Sequence, residues 1–124
     1  MPGNRRFNAY LSEEGGHRVV KHLIADNDMP RALVVGSDAV ASGVIGALRA
    51  NGLRVPDDVV VTGYDGGFPA ESMLAELTTV SLPRKHMAML AVQQVIRRIE
   101  GSGGQVRDII QPVRIRIGTS CGCL

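Results

Sequence analysis

Leu53-Arg-Val-Pro-Asp-Asp-Val-Val-Val-Thr-Gly-Tyr-Asp65 is the stretch on which the reading of this chain turns. A turn led by Gly52 and a Pro-Asp-Asp loop open onto an apolar run that stops at a lone carboxylate. Val59, Val60 and Val61 are consecutive β-branched residues, as in a strand buried on both faces of a parallel sheet. Pro56 cannot donate to a ladder, but it stands ahead of the strand, where that costs nothing. Asp65 therefore falls at the carboxyl end of a strand spanning residues 58 to 64. Ligands of open α/β sheets collect in the crevice beyond those ends.

Outward from this strand, helical and extended patterns alternate. Residues 13 to 25 set Gly16, Val19, Val20, Leu23 and Ile24 on one face, with Ser12 and Glu13 as start signals. Ala32 to Val35 reads as a short buried strand. Ser37 or Asp38 can cap the next helix, whose apolar positions are Val40, Val44, Ile45 and Leu48 and which Asn51-Gly52 ends. After Asp65 come a glycine loop through Pro69, an apolar-polar segment from Ala70 to Leu77, and a small strand, Thr78 to Val80. Pro83 suits the first turn of a helix over 84 to 100, with Ala88, Val92, Val95 and Ile99 in one row. Val113 to Ile117 alternates cleanly, so one face of that last strand should be solvated, and Arg114 with Arg116 reads as the solvated one. This alternation predicts a three-layer α/β sandwich, a mostly parallel sheet flanked by helices.

The 124 residues amount to one domain by length. A net charge of +2 implies neither a nucleic-acid nor a membrane partner. No apolar run reaches the length of a membrane span, and Met-Pro-Gly-Asn-Arg-Arg-Phe7 lacks the apolar core of a signal peptide, so the cytoplasm is the expected compartment. Cys121 and Cys123 stand as Cys-Gly-Cys near the end, and His17, His22 and His86 show no matching spacing. No metal or cofactor is expected, and the tail reads as a frayed end carrying two thiols.

Ser37, Asp38 and Asp65 are the polar groups at inferred strand ends. A carboxylate facing a crevice accepts strong hydrogen bonds from the hydroxyls of a sugar or polyol, or from a base edge. A helix starting at Ser37–Asp38 adds donors to the same place. The alternative is purely local: Asp38 as a helix cap and Asp65 as a turn residue. Catalytic motifs are missing. Gly36-Ser37-Asp38 lacks the glycine of a nucleophile elbow, and neither a phosphate loop nor a dinucleotide fingerprint occurs. No histidine or lysine stands at a strand end beside either aspartate, so the chain reads as a binding module and not an enzyme. With two tyrosines, two phenylalanines and no tryptophan, the arginines form no nucleic-acid groove.

The same segments, in order, resemble the effector-binding core of LacI/GalR-family transcriptional regulators, which share the type I periplasmic-binding-protein-like fold. The resemblance runs from about Tyr10 to Cys121. It rests on Tyr10-Leu-Ser-Glu-Glu-Gly15, Pro30-Arg-Ala-Leu-Val-Val-Gly-Ser-Asp38, Ala41-Ser-Gly43, Gly52 through Asp65, Leu77-Thr-Thr-Val80, Arg97-Arg-Ile-Glu-Gly101 and Thr119-Ser-Cys-Gly122. It implies an effector-sensing and dimerisation region, in which Asp65 binds effector hydroxyls or a ring nitrogen and Tyr10 stacks on the effector. Asp38 falls at the family's Asn-Asp pair, with Ser37 in place of the asparagine, and Gly66 replaces a frequent second carboxylate. The resemblance also implies that the chain is a partial domain, the second subdomain, with helix 84 to 100 normally crossing to a first subdomain. DNA would be bound only through an N-terminal helix-turn-helix outside this sequence. The effector would be sugar-like, a polyol or nucleobase-like, the assembly a homodimer. The runner-up is a fragment of a transport-type sugar-binding protein of the same fold.

Overall fold

Helix α1, Glu13–Ala25, begins where the Ser12 side chain accepts from the Gly15 N–H at 3.2 Å. Glu13 and Glu14 in its first turn complement the positive end of the helix. These coordinates are a computed structural model that describes residues 5–67, 76–105 and 107–123. After α1 come β1 (Ala32–Val34), α2 (Asp38–Ala50), β2 (Val60–Asp65), β3 (Thr78–Ser81), α3 (Arg84–Ile99) and β4 (Arg114–Arg116), then a 3-10 turn, Thr119–Cys121. The strands form one sheet in the order β1-β2-β3-β4. Parallel registers pair Ala32 with Val60 and Thr62 with Thr78, so Asp65 lies opposite Ser81. This is the mixed α/β, mostly parallel architecture expected from the sequence.

Two compact units share the chain: residues up to Ser81 together with Ile115 onward, and Leu82–Arg114. In the first, the core joins Val20 of α1, Val40, Ala41, Val44, Ile45 and Leu48 of α2, Val59 and Val61, and Leu77. Two glycines let the helices close on each other. A Cβ at Gly16 would run into the Val40 carbonyl, and one at Gly43 into the Glu13 carbonyl. Ser42 then donates to Glu13 Oε1 at 3.0 Å across the same crossing. Val59 and Val61 are fully buried while Val60 is only half-buried, so the valine run is enclosed on one face rather than two.

The Pro-Asp-Asp loop has a physical cause. Asp58 accepts from the Arg54 N–H at 2.8 Å, from its Nε at 3.0 Å and from its Nη2 at 2.9 Å. The guanidinium fork holds Asp58 well below the usual carboxylate range, at about 2.

The tail departs from the frayed end expected. Ser120 is buried, donates to the Val61 carbonyl at 2.7 Å and accepts from the Thr78 N–H at 2.9 Å. It thereby ties the C-terminal turn to β2 and β3. Cys121 and Cys123 sit with their sulfur atoms side by side in this turn.

In the second unit, α3 has no buried residue, and Met89, Val92, Val95, Ile96 and Ile99 are all exposed. Pro83 occupies its N-cap position without a side-chain cap. Phe68, Pro69 and the segment from Ala70 to Ala75 lie outside the described residues, and only Glu76 and Leu77 of that expected element are described.

Candidate functional site

Asp65 closes β2 in a conformation few non-glycine residues adopt. Its φ is 101°, followed by Gly66 at 61°. Such geometry costs on the order of 1–3 kcal/mol and clusters at ligand clamps and active sites. The carboxylate secures the turn itself, since Oδ1 accepts from the Gly67 N–H at 2.6 Å. The side chain is half-buried, and both expectations raised by the sequence, turn residue and strand-end acceptor, are compatible with it.

Asp38 is placed differently from the crevice-facing carboxylate expected. It is 0% exposed, the first residue of α2, and its carboxyl group is turned into the protein. Oδ1 accepts from Thr79 Oγ1 of β3 at 2.6 Å. Gly63 of β2 admits this approach, because a Cβ there would strike Asp38 Oδ1. Asp38 is thus not an N-cap but a buried tie between a helix start and two strands. Burial pushes its pKa up and the nearby Asp65 charge adds to this, while the Thr79 hydroxyl, the Arg116 charge and the Tyr64 N–H pull it down. That Asp65 acts on Asp38 puts the two carboxylates in one electrostatic neighbourhood.

Ser37 holds the N-cap position in extended conformation but makes no side-chain cap bond, and it is buried. Tyr10, ahead of α1, is 78% exposed, and its carbonyl accepts from the Ser12 N–H at 2.8 Å. Among the described residues no hydrogen bond joins Tyr10 to Ser37, Asp38 or Asp65. Its ring has the exposure stacking needs.

Arg116 is the residue that sequence reasoning misplaced. Arg114–Arg116 was to present a solvated arginine face, yet Ile115 is 70% exposed while Arg116 is half-buried, with Nε and Nη2 enclosed. Arg114, on the same strand, is exposed as expected.

Two wider concavities lie elsewhere. One, of about 490 Å³, runs between α1 and α2 along Glu14, His17, Arg18, Lys21, Ala47 and Asn51. The other, of about 600 Å³, is lined by Leu82 to His86 with Met89. No cluster of potential metal ligands occurs among the described residues, and no described helix is long and apolar enough to cross a membrane.

Comparison with known proteins bears on the strand-end residues. A periplasmic binding protein-like domain model matches residues 2–121. The HTH-type transcriptional repressor PurR of Glaesserella parasuis is 31% identical over 106 residues, covering 86% of this chain and 31% of that protein. The ribose operon repressor of Escherichia coli is 38% identical over 85 residues, covering 68% of this chain and 26% of its own length. Among solved structures, a LacI-type transcription regulator from Bifidobacterium animalis superposes with a TM-score of 0.80 at 31% identity, over 89% of this chain and 39% of that one. The chain spans about a third of the length of the curated relatives it matches. These relatives are transcriptional regulators, not enzymes. By sequence and by fold, the chain belongs to the periplasmic binding protein-like domain family, as found in LacI-type transcription regulators.

Proposed function

We propose that this chain is the effector-sensing part of a LacI-type regulator and that a hydroxyl-bearing small molecule binds at the carboxyl edge of its sheet. Asp65 is the acceptor for that molecule. The observation that carries the reading is its conformation: an acidic residue at the end of a central strand, at a φ of 101°, with its carboxylate anchored by Gly67 and set beside a second buried carboxylate. Strain of this kind is maintained where the surrounding structure over-determines it. Tyr10 stacks on the effector and Ser37 offers a hydroxyl at the same edge; Asp38 supports from below.

A sugar or polyol fits a carboxylate-bearing edge, because each hydroxyl can donate to Asp65. That one relative is a ribose operon repressor favours this class, with nucleobase-like effectors as the second class. In the whole protein the ligand would favour one of two conformations and so alter operator affinity at a helix-turn-helix outside this sequence, in the cytoplasm. The names of the relatives, all regulators, favour this over a transport-type binding protein.

The test is a thermal-shift screen of pentoses, hexoses, polyols, nucleosides and amino acids against the wild-type chain and Asp65→Asn. A hit that raises the Tm of the wild type and not of Asp65→Asn supports the reading. A hit that is indifferent to residue 65 contradicts it.

A further inference from the structure

Arg116 lies on β4, beside the strand that carries Thr79. Its Nε and Nη2 are buried and meet no acceptor among the described residues. Asp38 presents the complementary deficit: Oδ1 is bonded to Thr79, but Oδ2 is equally buried and meets no donor. The same compact unit therefore encloses two unmade N–H donors on a cation and one unmade acceptor on an anion. Buried polar groups are almost always bonded, and a buried charge without a partner is costly on both sides. An ion pair between them removes both deficits.

We propose that Arg116 is the internal counter-ion of the buried carboxylate at this edge: it closes an ion pair with Asp38 Oδ2. The groups acting on Asp38 are Thr79 from β3, the Tyr64 N–H and Asp65 from β2, and Arg116 from β4. With Arg116 the set holds one cation for two carboxylates. Without it, Asp38 keeps the unfavourable Asp65 charge and loses the one cation that acts on it. The pairing stands on the unmade bonds alone.

The experiment is a ligand-free titration of the Asp38 side-chain carboxyl by 13C NMR in the wild-type chain, Arg116→Lys and Arg116→Met. Arg116→Met is expected to move the Asp38 midpoint up by about one to three pH units, while Arg116→Lys stays near wild type. An Asp38 midpoint unmoved by Arg116→Met overturns the pairing. Should Arg116→Met fail to fold, Asp38→Asn combined with Arg116→Met decides. Recovery of a folded spectrum in the double variant supports mutual compensation, and failure as complete as in the single variant overturns it.

Discussion

Thr79→Val removes one hydroxyl from the interior and puts a methyl in its place, so it isolates the bond to Asp38 from any change of volume. Thr79 is 1% exposed and its hydroxyl is 2.6 Å from Asp38 Oδ1. With Oδ2 already unmade, this is the only described side-chain donor to the carboxylate. Hydrogen bonds to charged groups contribute about 1.5–3 kcal/mol, and a stranded buried acceptor costs at the upper end, so a loss of roughly 2–3 kcal/mol is expected. In urea that is a midpoint lower by about 1 M, since the slope is about 1–3 kcal/mol per molar. The pH dependence supplies a second check. The Asp38 carboxyl is raised in the folded chain, so its ionisation costs stability as pH climbs above the unfolded value of 3.8 and through the folded midpoint. Losing the Thr79 bond raises that midpoint further. The deficit should therefore be largest near neutral pH and shrink towards about 1 kcal/mol around pH 4, where a neutral carboxyl loses only a neutral bond. Urea unfolding followed by circular dichroism at the two pH values measures both. A deficit below about 0.5 kcal/mol, or one equal at both pH values, refutes the reasoning.

The Arg54–Asp58 clamp makes the opposite prediction in acid. Asp58 is lowered to about 2, so its contribution is present above the unfolded value of 3.8 and is lost as pH falls through about 2. Urea midpoints of the wild type should fall across that window while those of Asp58→Asn stay flatter; parallel curves would contradict the clamp. The exposed apolar row of α3, Val92, Val95 and Ile99, exceeds what a monomer normally leaves bare, and with the family resemblance it leads us to expect a symmetric homodimer. Light scattering at micromolar concentration should give twice the chain mass, and a monomer with α3 helical would overturn that expectation.

Most of the scaffold was legible because it is written in local patterns. Ser12 and the period of Val20 and Leu23 place α1, and Gly52 ends α2 at a φ of 76°. The apolar run after Asp58 places β2. What was not legible depends on partners far along the chain. An aspartate at a helix start reads locally as a cap, but Thr79, 41 residues on, draws Asp38 inside, and Gly63 makes the room. The rule that arginines go out holds for Arg114 on β4 but not for Arg116, whose Nε and Nη2 are enclosed. Ser120 reads as a tail residue until its bond to Val61, 59 residues away, is seen. Asp65 was identified by its position at a strand end, although its positive φ has no signature in the sequence beyond the two glycines that follow.

Chemical-shift mapping bears most directly on the claim that effector binds at the strand ends. Amide spectra of the 15N-labelled chain would be recorded through a titration with D-ribose, and then with each hit of the thermal-shift screen. The account predicts saturable shifts centred on Asp65, Gly66 and Gly67, with Gly36, Ser37 and Asp38 moving beside them, and their loss in Asp65→Asn. Shifts centred on His17, Arg18 and Lys21 in the groove between α1 and α2, with residues 65 to 67 unmoved, would contradict it.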